Sequence, residues 1–388
     1  MGRNAIKSIF LVAAAILLGV SAWSGDVLLL PLAVLFPWVW SQATSRKGAV
    51  MTAAAYFLAA SRGLPQGIAN FYGSGELYGY GLWITASSGF VLVHAGCWTQ
   101  RGNWARPARY AVASVLMGLP PIGIVGWAHP LTAAGVLFPG WGWLGLFATA
   151  IGILVVTTER YLIAFALMGC FWVCSSLSWT MPPEPEDWTG LNTFLGRSLG
   201  RGFDRQQHEW LAAAVNEAAA GGSTVVVLPE SGLGFWTPTV ERYWRAALED
   251  SKVAIFAGAT IVGSGGYDNA MIALHATDGL SVYHQRMPVP VSMWQPWLGW
   301  TGKSGGARAH LFANPIVSVA GRRVATLVCY EQLITWPILQ SMVHKPELIV
   351  ATGNGWWTTE TSIVSIQRAS AVAWASLFKV PIVFAFNT

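Results

Sequence analysis

Between Met1 and Thr180 the sequence carries three acids, Asp26, Glu76 and Glu159, against nine Lys and Arg, and apolar runs fill most of what lies between them. Such a stretch closes its backbone hydrogen bonds by forming helices and satisfies its side chains against lipid or one another. About seven runs of membrane-spanning length can be read, roughly 5–23, 26–42, 48–66, 78–98, 109–127, 134–156 and 161–180. Pro31, Pro37 and Gly63-Leu-Pro65 interrupt the second and third. The first run has the composition of a signal peptide but no clear small-residue cleavage site, and further runs follow at once, so it is read as retained.

The charges between the runs are one-sided. With the N-terminus inside, the inner loops hold Arg3, Lys7, Arg46, Lys47, Arg101, Arg106, Arg109 and Arg160, and the outer loops hold Arg62. Cytoplasmic loops are enriched in Lys and Arg, so the N-terminus is expected in the cytoplasm. Seven crossings then place residues 181–388 on the outer face, the periplasm of a Gram-negative bacterium, with the chain anchored in the inner membrane. Trp23, Trp38, Trp40, Trp98, Trp127 and Trp179 stand near the ends of the runs, as interfacial aromatics do. The other 15 acids and 14 bases nearly cancel. The net charge of +5 therefore belongs to the first half and reads as topology, and no nucleic-acid partner is expected.

Met181-Pro-Pro-Glu-Pro-Glu-Asp187 cannot continue a helix and divides the chain into a membrane domain (1–180), a linker (181–187) and a second domain (188–388). The second domain mixes helical and strand patterns. A weak strand is read at 191–199, an amphipathic helix at 205–220, and strands near 224–228, 253–257, 270–275, 280–285, 316–320, 323–329, 347–351 and 381–386. A further helix is read at about 361–377. Apolar strands interleaved with helices imply a layered α/β fold with covered sheets.

Two of those strands end on reactive side chains. Val225-Val-Val-Leu-Pro-Glu230 delivers a carboxylate, and Ala325-Thr-Leu-Val-Cys-Tyr-Glu331 delivers a thiol. A carboxylate base beside a thiol nucleophile is the minimum set for acyl transfer through a thioester. Of the four cysteines, Cys97, Cys170 and Cys174 lie in or near the apolar runs, so Cys329 has no disulfide partner in its own domain. As a small buried hydrophobe it would need none. Glu331, two residues beyond Cys329 on a strand, would share its face. His284 and Arg286 would bind a lipid headgroup or cap a strand. Trp294, Trp297, Trp300, Trp356 and Trp357 would cover an acyl chain or pack a core. The seven histidines have no metal-ligand spacing, and neither metal nor cofactor is expected.

Leu-Pro-Glu230-Ser, Val-Cys329-Tyr330-Glu331, Thr352-Gly-Asn-Gly-Trp356-Trp357 and Gln367-Arg-Ala-Ser-Ala-Val-Ala-Trp374 resemble the successive motifs of the carbon–nitrogen hydrolase (nitrilase) superfamily. Placed behind a multi-span membrane domain, they resemble the apolipoprotein N-acyltransferase architecture, and more closely its TraB-type branch of plasmid conjugal transfer proteins. The resemblance implies an αββα sandwich with Glu230 as general base, Cys329 as nucleophile and a lysine at the oxyanion. Its implied acyl donor is a membrane phospholipid, and its acceptor an amine such as a lipoprotein N-terminus. The conjugal transfer apparatus is the implied partner.

Two departures stand against that pattern. Gln285 occupies the lysine position and Met293 that of a second family glutamate. Losing a charged oxyanion donor costs about two to three orders of magnitude in rate. Strand alternation puts Arg286 on the opposite face, whereas Lys303, in Thr301-Gly-Lys-Ser-Gly-Gly306, could reach in from a loop. The family also continues past the last strand with a hairpin and a final span. Three readings follow: an acyltransferase or amidase of conjugation, a catalytically impaired envelope scaffold, and a housekeeping lipoprotein N-acyltransferase.

Overall fold

The structure is a computed structural model. It describes residues 3–388 except 74, 103, 201–204, 277, 278 and 304, and it leaves the side chains of Arg3, Asn4 and Glu76 undescribed. Ser304 of the Gly-Lys-Ser segment thus lies outside the described residues. The chain divides into two compact units. The first is Met1–Pro182 with Leu333–Trp336 and Glu360–Lys379; the second is Pro183–Gln332 with Pro337–Thr359 and Val380–Thr388.

The first unit is helical, but its helices do not follow the seven apolar runs one for one. Among the described residues one helix, Ala5–Ala22, is both long and apolar enough to cross a membrane. The second run is a 3-10 segment, Val27–Val34 with Pro31 inside it, followed by a short α-helix, Leu35–Ser41. The third ends at Ala60, and a separate helix, Leu64–Tyr72, starts with proline in its first turn. The run at 109–127 is helical to Gly118, where Pro120-Pro121 stops it. The run at 134–156 is split at Gly140 and Gly142, both at positive φ. Proline removes a helix donor, and glycine at positive φ reverses the chain, so each break follows from its residues.

Close approach between helices in this unit depends on missing side chains. A Cβ at Gly19 would sit 2.5 Å from the carbonyl oxygen of Tyr56, and one at Gly135 would clash with the carbonyl of Ala373. Trp23 Nε1 donates to Tyr56 Oη at 2.8 Å. The helix Ile363–Phe378, read from the sequence as a helix of the second domain at about 361–377, is a component of the first unit, seated on Gly135.

The second unit holds two sheets. The first contains β1 (Trp188–Gly190), β2 (Val225–Val227), β3 (Ala254–Gly263), β4 (Gly266–Leu274) and β5 (Ser281–His284), hydrogen-bonded in that order. The pairs β1–β2 and β2–β3 are parallel, and the two later pairs are antiparallel. The second sheet runs β6 (Val317–Val319), β7 (Arg322–Val328), β8 (Leu348–Asn354) and β9 (Ile382–Asn387), with β7–β8 and β8–β9 parallel. The strand expected at 191–199 lies instead at 188–190.

Alternation assigns the faces. Val225, Val227, Phe256, Met271 and Tyr283 from the first sheet form one core with Val324, Val328, Leu348, Val350 and Val383 from the second. The opposite face of the first sheet, with Val226, Ile255 and Ile272, packs on Leu211 and Val215 of the helix Arg205–Ala220 and on Val240 and Trp244 of the helix Pro238–Ala247. Each such side chain contributes roughly 1.5–3 kcal/mol on burial. Trp244 Nε1 donates to His208 Nδ1 at 3.0 Å and ties those two helices together. The helix at 238–247 has an apolar stripe at helical spacing, Val240, Tyr243, Trp244 and Ala247, and is an element that the strand-and-helix reading of the sequence does not include.

Candidate active site

Glu230 stands three residues beyond β2, where the chain crosses β3. The crossing is possible because residue 258 is glycine. A Cβ there would lie 2.4–2.5 Å from Ser231 N, Glu230 Cα and Pro229 O. Gly258 N donates to Pro229 O and Leu233 N to Gly258 O, which fixes the segment on the strand. Ser231 follows with φ of +66°, a left-handed turn that aims Glu230 back into the sandwich.

Cys329 follows the last residue of β7 and begins a 3-10 turn, Cys329–Leu333. Its φ is +49°. That conformation costs a non-glycine residue on the order of 1–3 kcal/mol and is found where a side chain must be aimed. The expectation that Cys329 and Glu331 share a strand face is corrected here: the strand ends at Val328, and the turn sends Glu331 elsewhere.

The inner face of the first sheet brings the remaining groups. Met271 and Ala273 point into the inter-sheet core, so Asn269 on the same strand does too. Beyond the pair Ala270–His284, Gln285 N donates to Asn269 O at 2.8 Å, which places the two side chains together. Asn269 Nδ2 lies 2.6 Å from Glu230 Oε1 and 2.8 Å from Gln285 Oε1. Gln285 Nε2 donates to Val328 O at 3.0 Å. The other Glu230 oxygen accepts from Asn354 N at 2.9 Å, at the end of β8. Asn387 Nδ2 in turn holds the Asn354 side chain at 2.8 Å.

The thiol of Cys329 completes the set by hydrogen-bonding Glu230. Glu230 is 5% exposed, and burial pushes its carboxyl up to about 7. The hydrogen bonds from Asn269, Asn354 N and Cys329 oppose that rise, and the nearby Glu331 charge adds to it. A carboxyl that titrates near neutrality, in contact with a thiol, is suited to take and return a proton at physiological pH.

Glu331 and Arg286 form a second buried cluster beside this one. Glu331 accepts from Arg286 N (2.6 Å), Met287 N (3.2 Å) and Val328 N (2.7 Å), and both its oxygens lie 2.9 Å from Tyr283 Oη. Burial raises its carboxyl, and Arg286 and these donors pull it back. Arg286 is fully buried, and its guanidinium donates to Pro337 O, Thr326 O, Ser341 Oγ, Gln340 Oε1 and Tyr283 Oη. Arg286 thus faces protein, and the cluster pins the turn that carries Cys329.

The structure therefore brings Glu230, Gln285 and Cys329 together and sets Glu331 and Arg286 behind the turn. Tyr330 is partly buried, and burial raises its phenol. Trp356 and Trp357 open a 3-10 turn two residues past Asn354, with the Arg197 guanidinium 5.4 Å from the Trp356 ring centre. Trp294 is held in the 289–294 turn through its backbone bond to Val289 O. Lys303 is exposed. Asn269 escapes a reading of the sequence alone. Its signal is a polar amide inside a β run, where such a residue is disfavoured unless something binds it.

Residues 237–376 match the carbon-nitrogen hydrolase family. That match includes Gln285 and Cys329 and begins after Glu230. The chain is 52% identical over 396 residues to the conjugal transfer protein TraB of Agrobacterium fabrum, covering 100% of this chain and 94% of that protein. It is 53% identical over 389 residues to a probable conjugal transfer protein TraB of Sinorhizobium fredii, covering 100% of both. An amidase of the nitrilase superfamily from Nesterenkonia aligns over 54% of this chain and 79% of its own, with 14% identity and a TM-score of 0.38.

Proposed function

The chain belongs to the TraB family of conjugal transfer proteins, and on that premise we propose that it serves plasmid conjugation by acyl transfer or amide chemistry through a thioester on Cys329. The observation that carries this reading is the contact between the Cys329 thiol and a buried Glu230 whose carboxyl is raised to about 7.

In the first half-reaction Glu230 takes the thiol proton, and the sulfur attacks the carbonyl carbon of an acyl donor. The tetrahedral adduct collapses as Glu230 returns the proton to the departing alcohol or amine, leaving the acyl group on Cys329. In the second half-reaction an amine acceptor attacks the thioester, its proton passes to Glu230, and the thiol is regenerated. The donor proposed is a membrane phospholipid, and the acceptor an amine of an envelope component such as a lipoprotein N-terminus. Trp356 and Trp357, next to the Glu230-binding Asn354, are placed to meet the acyl chain. With Gln285 neutral and bound between Asn269 and Val328, the oxyanion has no cation at that position, and acylation is correspondingly slow.

The first unit is proposed to lie in the bacterial inner membrane, with a cytoplasmic N-terminus and the second unit in the periplasm. Its exposed side chains support this. Phe10 and Leu17 on the first helix, Leu144 and Phe147 on Gly142–Val155, and Leu162 and Leu167 on Tyr161–Leu177 all face outward, a surface suited to lipid.

Intact-protein mass spectrometry of the detergent-purified chain incubated with phospholipid, beside Cys329→Ala, tests the reading. A hydroxylamine-labile acyl adduct on the wild type alone is expected. The absence of an adduct on folded, lipid-bound protein would favour the alternative of an envelope scaffold without catalysis, which the neutral Gln285 at the family lysine position supports. A housekeeping lipoprotein N-acyltransferase would instead complement a strain lacking that enzyme.

A further inference from the structure

The outer face of the first sheet carries a second cluster of reactive groups that the acyl-transfer site does not use. In β4 and β5, Asp268 and His284 alternate with Asn269 and Tyr283, which point inward, so both point away from the inter-sheet core. The segment 306–308 lies alongside. Tyr267 N donates to Gly306 O at 3.1 Å, and Arg308 N donates to Tyr267 O at 2.8 Å. That pairing carries His310 onto the same patch. His310 Nε2 is 2.9 Å from Asp268 Oδ1, and His284 Nδ1 is 3.3 Å from Asp268 Oδ2.

We propose that Asp268, His284 and His310 form a binding site for a divalent transition-metal ion of the Zn2+ class. One carboxylate oxygen and two imidazole nitrogens all lie within 4.8 Å of one another. Tetrahedral ligands with bonds of 2.0–2.1 Å stand about 3.4 Å apart, so modest rotations of the two imidazoles close the set. The His284 Nδ1 atom is buried and faces the Asp268 carboxylate at 3.3 Å, too loosely placed to count as a well-formed hydrogen bond, so the carboxylate and the imidazole are free to converge on a shared cation. Three protein ligands with partly exposed histidines leave a fourth position open to solvent or to a small anion. Because the ligands come from three separate segments, no short spacing in the sequence announces them.

Arg308 is the competitor. Its Nε and Nη2 donate to Asp268 Oδ1 and Oδ2 at 2.7 and 2.6 Å, while its side chain is 41% exposed. A divalent ion would compete with the guanidinium for the same carboxylate oxygens and repel its charge, so binding is expected to swing Arg308 into solvent. The metal would then clamp β4 to β5 directly behind Asn269 and Gln285, the next residues along each strand.

The test uses the full-length, untagged protein in detergent, stripped with a chelator and titrated calorimetrically with Zn2+, with Mg2+ as the control. Cys170→Ser and Cys174→Ser form the background, because those two thiols lie against one another. Saturable one-to-one Zn2+ binding without Mg2+ binding is expected. His310→Gln should weaken it at least tenfold, and Arg308→Gln should tighten it severalfold by removing the competitor. Wild-type protein that binds no Zn2+ stoichiometrically, or His310→Gln with unchanged affinity, overturns the proposal. So does weaker binding by Arg308→Gln, because the ion pair would then be supporting the patch rather than competing for it. Should the histidine variant fail to fold, the visible spectrum of the Co2+-loaded background protein decides. A band from nitrogen and oxygen ligation supports the site, and the spectrum of free aqueous Co2+ refutes it.

Discussion

Gln285 Nε2 lies 3.0 Å from the carbonyl oxygen of Val328, and Val328 is bonded directly to Cys329. A neutral amide thus stands against the nucleophile's own strand where the resemblance to nitrilases implies an ammonium. Gln285→Lys is expected to bring the Glu230 carboxyl below its present value of about 7, because a nearby cation favours the carboxylate. The pH dependence of Cys329 alkylation should move down by at least one unit. Acylation, if the missing cation limits it, should rise by about two orders of magnitude. An unmoved alkylation profile would show that residue 285 does not sense Glu230.

Glu230 also links stability to pH. Its folded value is raised from an ordinary 4.5 to about 7, so the unfolded chain releases this proton first. The stability this group contributes is full below about pH 4.5 and declines as pH rises through about 7, a loss on the order of 3 kcal/mol. Glu230→Gln should therefore gain thermal stability relative to the wild type as pH is raised from about 5 to 8, while losing acylation. A difference in melting temperature that stays constant across that range would contradict the buried, protonated carboxyl.

Gly258 admits no side chain. Because the three atoms its Cβ would meet are backbone atoms of residues 229–231, they cannot rotate away. Gly258→Ala should cost about 1–3 kcal/mol by overpacking and displace Glu230 from the thiol. Cys329 alkylation near pH 7 should then slow to the rate of Glu230→Gln. Wild-type alkylation in this variant would remove the role assigned to the crossing.

The buried Arg286–Glu331 cluster should behave as support rather than as chemistry. Removing one partner leaves the other uncompensated, and Arg286→Ala or Glu331→Gln should destabilise the second unit by about 3–5 kcal/mol. Arg286→Lys should not rescue, since one ammonium cannot reproduce the planar set of bonds to Pro337, Thr326 and Ser341. Chemical denaturation followed by tryptophan fluorescence measures this, and a lysine variant as stable as the wild type would refute it.

The strands after the first, the helix at 205–220 and the positions of Glu230 and Cys329 just past strand ends were legible because each depends on local pattern: an apolar β run, a glycine stop, a reactive residue at a strand tip. What depends on long-range geometry was not. The turn at Cys329 follows from a positive φ that no propensity announces, and it separates Glu331 from the thiol. Arg286 reads from its sequence neighbourhood equally as a headgroup ligand or a strand cap, yet acceptors contributed by residues 326 and 337–341 enclose it. Asn269 gains its meaning only from the register that sets it opposite Gln285. Hydropathy identified the apolar first half but overcounted its unbroken helices, because window averages do not register where a proline or a positive-φ glycine cuts a run.

The chain leaves the first unit at Pro182 and returns for Leu333–Trp336 and again for Glu360–Lys379, between strands β8 and β9. The helix that fills the seam at Gly135 is thus encoded about 230 residues after it. During synthesis the N-terminal helices leave the ribosome with that seam open. At about 5–20 residues per second it stays open for roughly 10–45 s. The apolar half cannot complete its own packing before the segment up to Lys379 has been made. A chain truncated ahead of Ile363 would yield a helical unit whose seam at Gly135 stays unsealed and open to proteolysis.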